Sequence, residues 1–189
     1  MSQVLLVDNR DSFTHNLAQI IRENARCECT IVAHHNIGSV EIGRFDKIIL
    51  SPGPGLPREF PELFDLLKAY AASKPILGVC LGMQAIAEFF GGSLYNLPMP
   101  RHGRRVKIMR EQDDILFERA SAETFVGLYH SWAVDRASLP DDLEVTASGP
   151  DGVVMALRHK HLDIRGVQFH PESYMTEHGI AMLQNWLAS

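Results

Sequence analysis

The 189 residues carry 18 Lys and Arg against 23 Asp and Glu, a formal net charge of −5, with 46% hydrophobic and 22% charged residues. That is ordinary globular usage; it fits one domain spanning residues 1–189, and no basic run offers a nucleic-acid surface. The opening Met1 to Asp8 lacks the basic region of a signal peptide, no apolar stretch of about 18 residues offers a membrane span, and three cysteines without an export signal suit the reduced cytoplasm.

Along the chain, Gln3 to Val7 is a short apolar run, read as a buried strand. Asp11 or Ser12 is placed to cap a following helix, with Phe13, Leu17, Ile20 and Ile21 on one face. Glu28 to Val32 and Lys47 to Leu50 read as further strands, the latter ended by Ser51-Pro52-Gly53-Pro54-Gly55. Pro61 opens a helix whose core stripe reads Leu63, Phe64 and Leu67. Ile76 to Val79 is a fourth buried strand, and a helix from about Gly82 to Phe90 stops at Gly91-Gly92.

The second half changes character. Val106 to Met109, Thr124 to Tyr129, Leu143 to Ala147, Val153 to Leu157 and Ile164 to Phe169 are strand-like, separated by turns such as Gly149-Pro150-Asp151-Gly152. Ile180, Leu183 and Leu187 recur at helical spacing, with Trp186 alongside, in a final segment from Thr176 to Leu187. The expected fold is α/β: a mostly parallel central sheet flanked by helices, with additional antiparallel strands from the second half. Ligands of such sheets bind outside the carboxyl ends of the strands. Ser51 to Gly55 and Cys80 both fall there.

Gly78-Val79-Cys80-Leu81-Gly82 has the spacing of a strand-to-helix nucleophile elbow, with Cys in the usual Ser position. A cysteine there sits at a helix N-terminus, where the reactive thiolate is favoured. A nucleophile of this kind wants a base. His170 ends an apolar strand, and Pro171 restricts it to extended geometry. Glu172, two residues on, is placed to hold the second ring nitrogen. The paired glycines of Ser51 to Gly55 let backbone N–H groups approach an oxyanion alongside the N–H of Leu81; a plain Pro-Gly turn is the competing reading. Cys27 and Cys29 share a strand face without a second cysteine pair, so no metal site is expected. His34-His35 reads as a solvated strand end, and His159 and His161 as solvent-facing.

The set G-V-C-L-G-M-Q, S-P-G-P-G and V-Q-F-H-P-E-S, spread over essentially the whole chain, resembles the class I glutamine amidotransferases. The start, Asp8-Asn-Arg-Asp-Ser-Phe-Thr-His-Asn16, and Tyr129-His130-Ser131 resemble one branch, the amidotransferase subunits of anthranilate synthase and aminodeoxychorismate synthase. The resemblance implies a triad of Cys80, His170 and Glu172. It implies a glutamine and oxyanion loop at Gly53, Pro54 and Gly55 with Leu81. It also implies that Gln84, Ser131 and Trp132 contact the α-amino-acid end of L-glutamine; many relatives have Leu at the position of Trp132. It further implies no cofactor in this chain, Mg2+ only in a chorismate-binding synthase subunit, and that subunit as partner. A stand-alone cysteine hydrolase and a non-catalytic binding module are the competing classes. Glutaminase activity stimulated by a partner distinguishes the first, and covalent labelling of Cys80 the second.

Overall fold

The computed structural model describes residues 1–118 and 120–189. Its first half alternates β1 (Ser2–Asp8), α1 (Thr14–Glu23), β2 (Cys27–Ala33), β3 (Lys47–Leu50), α2 (Pro61–Tyr70), β4 (Ile76–Val79) and α3 (Leu81–Phe89). Strands then dominate: β5 (Leu94–Arg110), β6 (Glu123–Val134), β7 (Leu143–Ser148), β8 (Val154–His159) and β9 (Ile164–Val167), before α4 (Gly179–Ala188).

Successive side chains of a strand point to opposite faces, so the unbroken apolar run of β1 must be covered on both. Val4 and Leu6 pack with Leu17 and Ile21 of α1 and Leu183 and Trp186 of α4. Leu5 and Val7 pack with Leu63 and Leu67 of α2 and Ile86 of α3. Such doubly buried strands belong to a parallel sheet. The described strands form one sheet in the order β2-β1-β3-β4-β9-β8-β7-β5-β6. Pairing is parallel from β2 through β9 and antiparallel from β9 through β6. The mixed α/β architecture expected from the sequence is therefore present, and β9 returns from the antiparallel half to lie beside β4.

Several local expectations need correction. The β5–β6 hairpin is much longer than Val106 to Met109 paired with Thr124 to Tyr129. Its extension carries Pro98, Pro100 and three arginines, and register shifts between Asn96 and Arg101 and between His102 and Arg104 break the alternation a pattern search needs. Neither Asp11 nor Ser12 is the N-cap of α1; Phe13 is, with no side-chain cap. Asp8 organises that turn from upstream. Its Oδ1 accepts the N–H of Arg10 (3.0 Å) and of Asp11 (3.3 Å) and the Thr14 hydroxyl (2.9 Å).

In α2, Leu66 is buried where Phe64 was expected, and Phe64 is only half-buried. In α4, Ile180 is exposed while Trp186 is fully buried. That helix docks through Leu183, Trp186 and Leu187, as its spacing suggested, with Met182 in the place expected for Ile180. His159 is buried, not solvent-facing. Its Nδ1 accepts the N–H groups of His161 and Leu162, closing the turn after β8. His34 is also no solvated strand end: it pairs with Glu62 at 3.2 Å and packs edge-on against Phe60.

Candidate active site

The carboxyl ends of β1, β3, β4 and β9 converge, and the site is built there. β4 ends at Val79, and Cys80 turns the chain into α3 at φ 51° and ψ −103°, a left-handed backbone rarely taken by a residue with a Cβ. Such strain persists only where the surroundings enforce it. Two glycines supply the room. A Cβ on Gly78 would meet the Gly82 carbonyl carbon at 2.4 Å, and one on Gly82 would meet the Leu50 carbonyl oxygen at 2.3 Å. The Cys80 N–H donates to Val167 of β9 at 2.7 Å, locking the elbow to the strand that leads to His170.

His170 follows β9 and is almost fully buried. Its N–H donates to the Gly127 carbonyl of β6 at 3.1 Å, and its own carbonyl accepts the Thr176 hydroxyl at 2.6 Å. Its Nδ1 lies 2.7 Å from Oε1 of Glu172, itself buried. Phe13 and Tyr129 pack on the imidazole, with centroids at 5.0 and 4.9 Å. Burial is the largest single influence on this imidazole and depresses its pKa. Hydrogen bonding and charge from Cys80 and Glu172 together overcome it and raise the pKa from the ordinary 6.5 to about 10. Nδ1 is thus committed to Glu172. Nε2 makes no hydrogen bond among the described residues, and Cys80 is the neighbouring group whose influence reaches it.

The loop after β3 comes next to the elbow. A Cβ on Gly53 would lie 2.5 Å from the Leu81 side chain and 2.8 Å from Asn9, and Gly55 sits at φ 71°. A side chain at Gly53 would collide with Asn9, and one at Gly55 would be strained by the positive φ. Asn9, at the end of β1, ties the loop down: its N–H donates to the Ser51 hydroxyl at 2.9 Å, and its side-chain amide to the Ser51 carbonyl at 2.8 Å. Leu81 opens α3, so its N–H has no acceptor within the helix. A cavity of about 200 Å³ opens onto Cys80, lined by Gly53, Pro54, Gly55, Gln84, His102, Tyr129, His130, Ser131 and Trp132.

Residues 5–189 match the family model of glutamine amidotransferase class-I. The chain belongs to that family. A Haemophilus influenzae protein assigned as anthranilate synthase component II is 46% identical, the match covering 98% of this chain and 96% of that one. Anthranilate synthase component 2 of Porphyra purpurea is 41% identical over 98% and 99% of the two chains. A Thermoplasma acidophilum protein assigned as a GMP synthase subunit superposes with a TM-score of 0.89 at 29% identity, covering 100% of this chain and 93% of that one.

In this amidotransferase the structure gathers the residues singled out from sequence. Cys80, Gly53, Pro54, Gly55, Gln84, Ser131 and Trp132 line one cavity, Leu81 is buried beside Gly53, and His170 and Glu172 lie behind Cys80. Sequence reading gave no role to Gln168, His130, His102 or Asn9, and it placed Phe13 on the apolar face of the first helix, whereas Phe13 is the N-cap of α1 and packs on His170. Gln168 is fully buried and donates from Nε2 to the Cys80 sulfur at 3.5 Å. His130 donates from Nδ1 to the Trp132 carbonyl at 2.8 Å, and His102 Nε2 lies 3.2 Å from the Ser131 hydroxyl. Burial lowers the His130 pKa to about 4, so it is neutral at pH 7. The signal for Gln168 and His130 was available in the motifs that contain them. Side-chain partners on other strands were not.

Proposed function

We propose that this chain hydrolyses L-glutamine to glutamate and ammonia, and delivers the ammonia to a chorismate-binding synthase subunit, as in anthranilate synthase. The observation that carries the reading is the strained Cys80 at the head of α3 with the buried His170–Glu172 pair behind it. Cys80 gives its proton to His170, and its sulfur attacks Cδ of the glutamine side chain. The oxyanion is met by the N–H groups of Gly53 and Leu81; losing one such donor typically costs about 10²–10³ in rate. His170 returns its proton to the departing nitrogen, releasing ammonia and leaving a thioester on Cys80. Water, deprotonated by the same imidazole, attacks the thioester and frees glutamate. Glu172 holds Nδ1 throughout, so that Nε2 faces the sulfur. The α-amino-acid end of glutamine is assigned to Gln84 and the backbone of Ser131 and Trp132. All of these groups are protein atoms, so the chemistry proposed needs no cofactor in this chain.

The names of the similar proteins favour anthranilate over aminodeoxychorismate as the product. The test combines the chain with its synthase partner, chorismate and either glutamine or ammonium. Cys80→Ser should abolish glutamine-dependent product and leave ammonium-dependent product intact. Glutamine-dependent turnover that survives the substitution refutes the nucleophile assignment, and the identity of the product settles the pathway.

A further inference from the structure

Four polar groups from three elements form a directional chain that ends on the nucleophile. The Trp132 carbonyl on β6 accepts from Gln84 Nε2 of α3 at 2.8 Å. The same Gln84 nitrogen donates to Gln168 Oε1 at 3.1 Å. Gln168 Nε2 then donates to Cys80 Sγ at 3.5 Å. Both amides are at least nine-tenths buried.

The orientation of each amide is fixed by chemistry. A backbone carbonyl can only accept, so Gln84 must turn its NH2 toward Trp132. The second hydrogen of that NH2 lies against Gln168, which must therefore present its oxygen. Gln168 is left with its own NH2 toward the sulfur. His130 donates to the same Trp132 carbonyl and keeps it in place. With both hydrogens of Gln84 spent on protein acceptors, its Oε1 is the group left for the cavity it lines.

We propose that this one-way amide relay makes Gln168 a permanent hydrogen-bond donor to the Cys80 sulfur, its direction being set by Gln84 and the Trp132 carbonyl. Gln84, already assigned to the α-amino-acid end of the substrate, keeps its Oε1 toward the cavity as a consequence, and its effect on KM rests on the glutaminase reading. The donor to the thiol does not. A donor aimed at the sulfur favours the negative form that attacks, and hydrogen bonds to charged groups are the strong ones. Reversing the relay would put an amide oxygen against the sulfur and oppose that charge.

Three variants separate the relay from mere packing. Gln168→Met keeps volume and removes the donor. Gln84→Glu offers no hydrogen to Trp132 or Gln168, so Gln168 must turn its NH2 toward the new carboxylate and its oxygen toward Cys80. Gln84→Met leaves Gln168 free to keep its donor on the sulfur. The readouts are the rate of Cys80 alkylation by iodoacetamide at fixed pH, which needs no glutamine, the KM and kcat for glutamine, and the melting temperature.

Alkylation should fall roughly tenfold in Gln168→Met and at least as far in Gln84→Glu, yet stay near wild type in Gln84→Met. KM should rise in both Gln84 variants, while kcat falls in Gln168→Met and Gln84→Glu. Equal alkylation in the two Gln84 variants overturns the relay. So does wild-type alkylation in folded Gln168→Met, which decides the matter alone if Gln84→Glu does not fold. Failure of the glutaminase reading shows differently, as wild-type protein and partner that turn over no glutamine while the alkylation order still holds.

Discussion

At the scale of single residues, two neighbours decide how His170 behaves. Burial alone would leave it neutral; Cys80 and Glu172 hold its proton and bring its pKa to about 10. A histidine pKa raised on folding contributes stability that is complete below the ordinary 6.5 and is lost as pH rises through about 10. Glu172→Gln removes one of the two supports and leaves burial in place. The His170 resonance, followed by NMR against pH, should then titrate well below its wild-type midpoint, and glutamine turnover should drop. An unchanged midpoint would falsify the assignment of Glu172 as the orienting partner. The three cysteines allow a second test. Burial pushes the Cys29 thiol up to about 11 and raises Cys27 as well, so neither should compete as a nucleophile. A glutamine-mimicking diazo-ketone should add one group, found on the Cys80 peptide by mass mapping; label mainly on Cys27 or Cys29 contradicts the reading. Cys80, His170 and Glu172 could be singled out from sequence because each depends on near neighbours: glycines two residues either side of Cys80, and a carboxylate two residues from His170. Gln168 lies in a motif visible in the sequence, but its role was not legible, because its partners are Gln84 and Cys80, more than 80 residues away.

Among the elements, the elbow and the β3 loop set the geometry. The central parallel strands were legible because burial on both faces gives unbroken apolar runs, as in Val4 to Val7, Ile48 to Leu50 and Ile76 to Val79. The β5–β6 extension was not, because prolines and arginines replace the alternation there. The function of the Asp8-to-Asn16 segment also required the fold: Asp8 shapes the turn into α1, while Asn9 clamps Ser51 from 42 residues away. Gly82→Ala places a methyl group within 2.3 Å of the Leu50 carbonyl oxygen, which is backbone and cannot step aside. That substitution should move α3 off β3 and lower glutaminase activity by about 10²-fold or more, the usual cost of roughly 1 Å of misplacement. Asn9→Ala should be milder. It removes the side-chain hydrogen bond to the Ser51 carbonyl and frees the loop, so kcat should fall while KM changes less, because the oxyanion contact matters in the transition state and not in ground-state binding. A rise in KM alone would show that Asn9 serves the glutamine pocket and not the oxyanion loop.

On the whole-molecule scale, the cavity at Cys80 lies beside the long β5 arm. Leu97 to Arg104 carries the exposed Met99 and lines a groove of about 740 Å³ with Tyr95, Pro150 and Val153. His102 and Arg101, on the same arm, border the Cys80 cavity and the groove respectively. An ammonia-producing site gains by firing only when an acceptor is present, since free ammonia is protonated and lost in water. A partner seated on the β5 arm and the Ser51-to-Pro57 loop could supply that control by selecting one backbone arrangement of the loop. Shifts of about 1 Å suffice for about 10²-fold in rate. We therefore expect the isolated chain to be a poor glutaminase and the synthase subunit to raise kcat at saturating glutamine. Met99→Asp, which buries a charge in any interface formed there, should weaken the stimulation while leaving the basal rate unchanged. Ammonia release measured with and without partner, for wild type and Met99→Asp, tests both parts. An isolated chain as fast as the complex refutes partner control, whereas full stimulation of Met99→Asp moves the interface off the β5 arm and leaves the catalytic assignment standing.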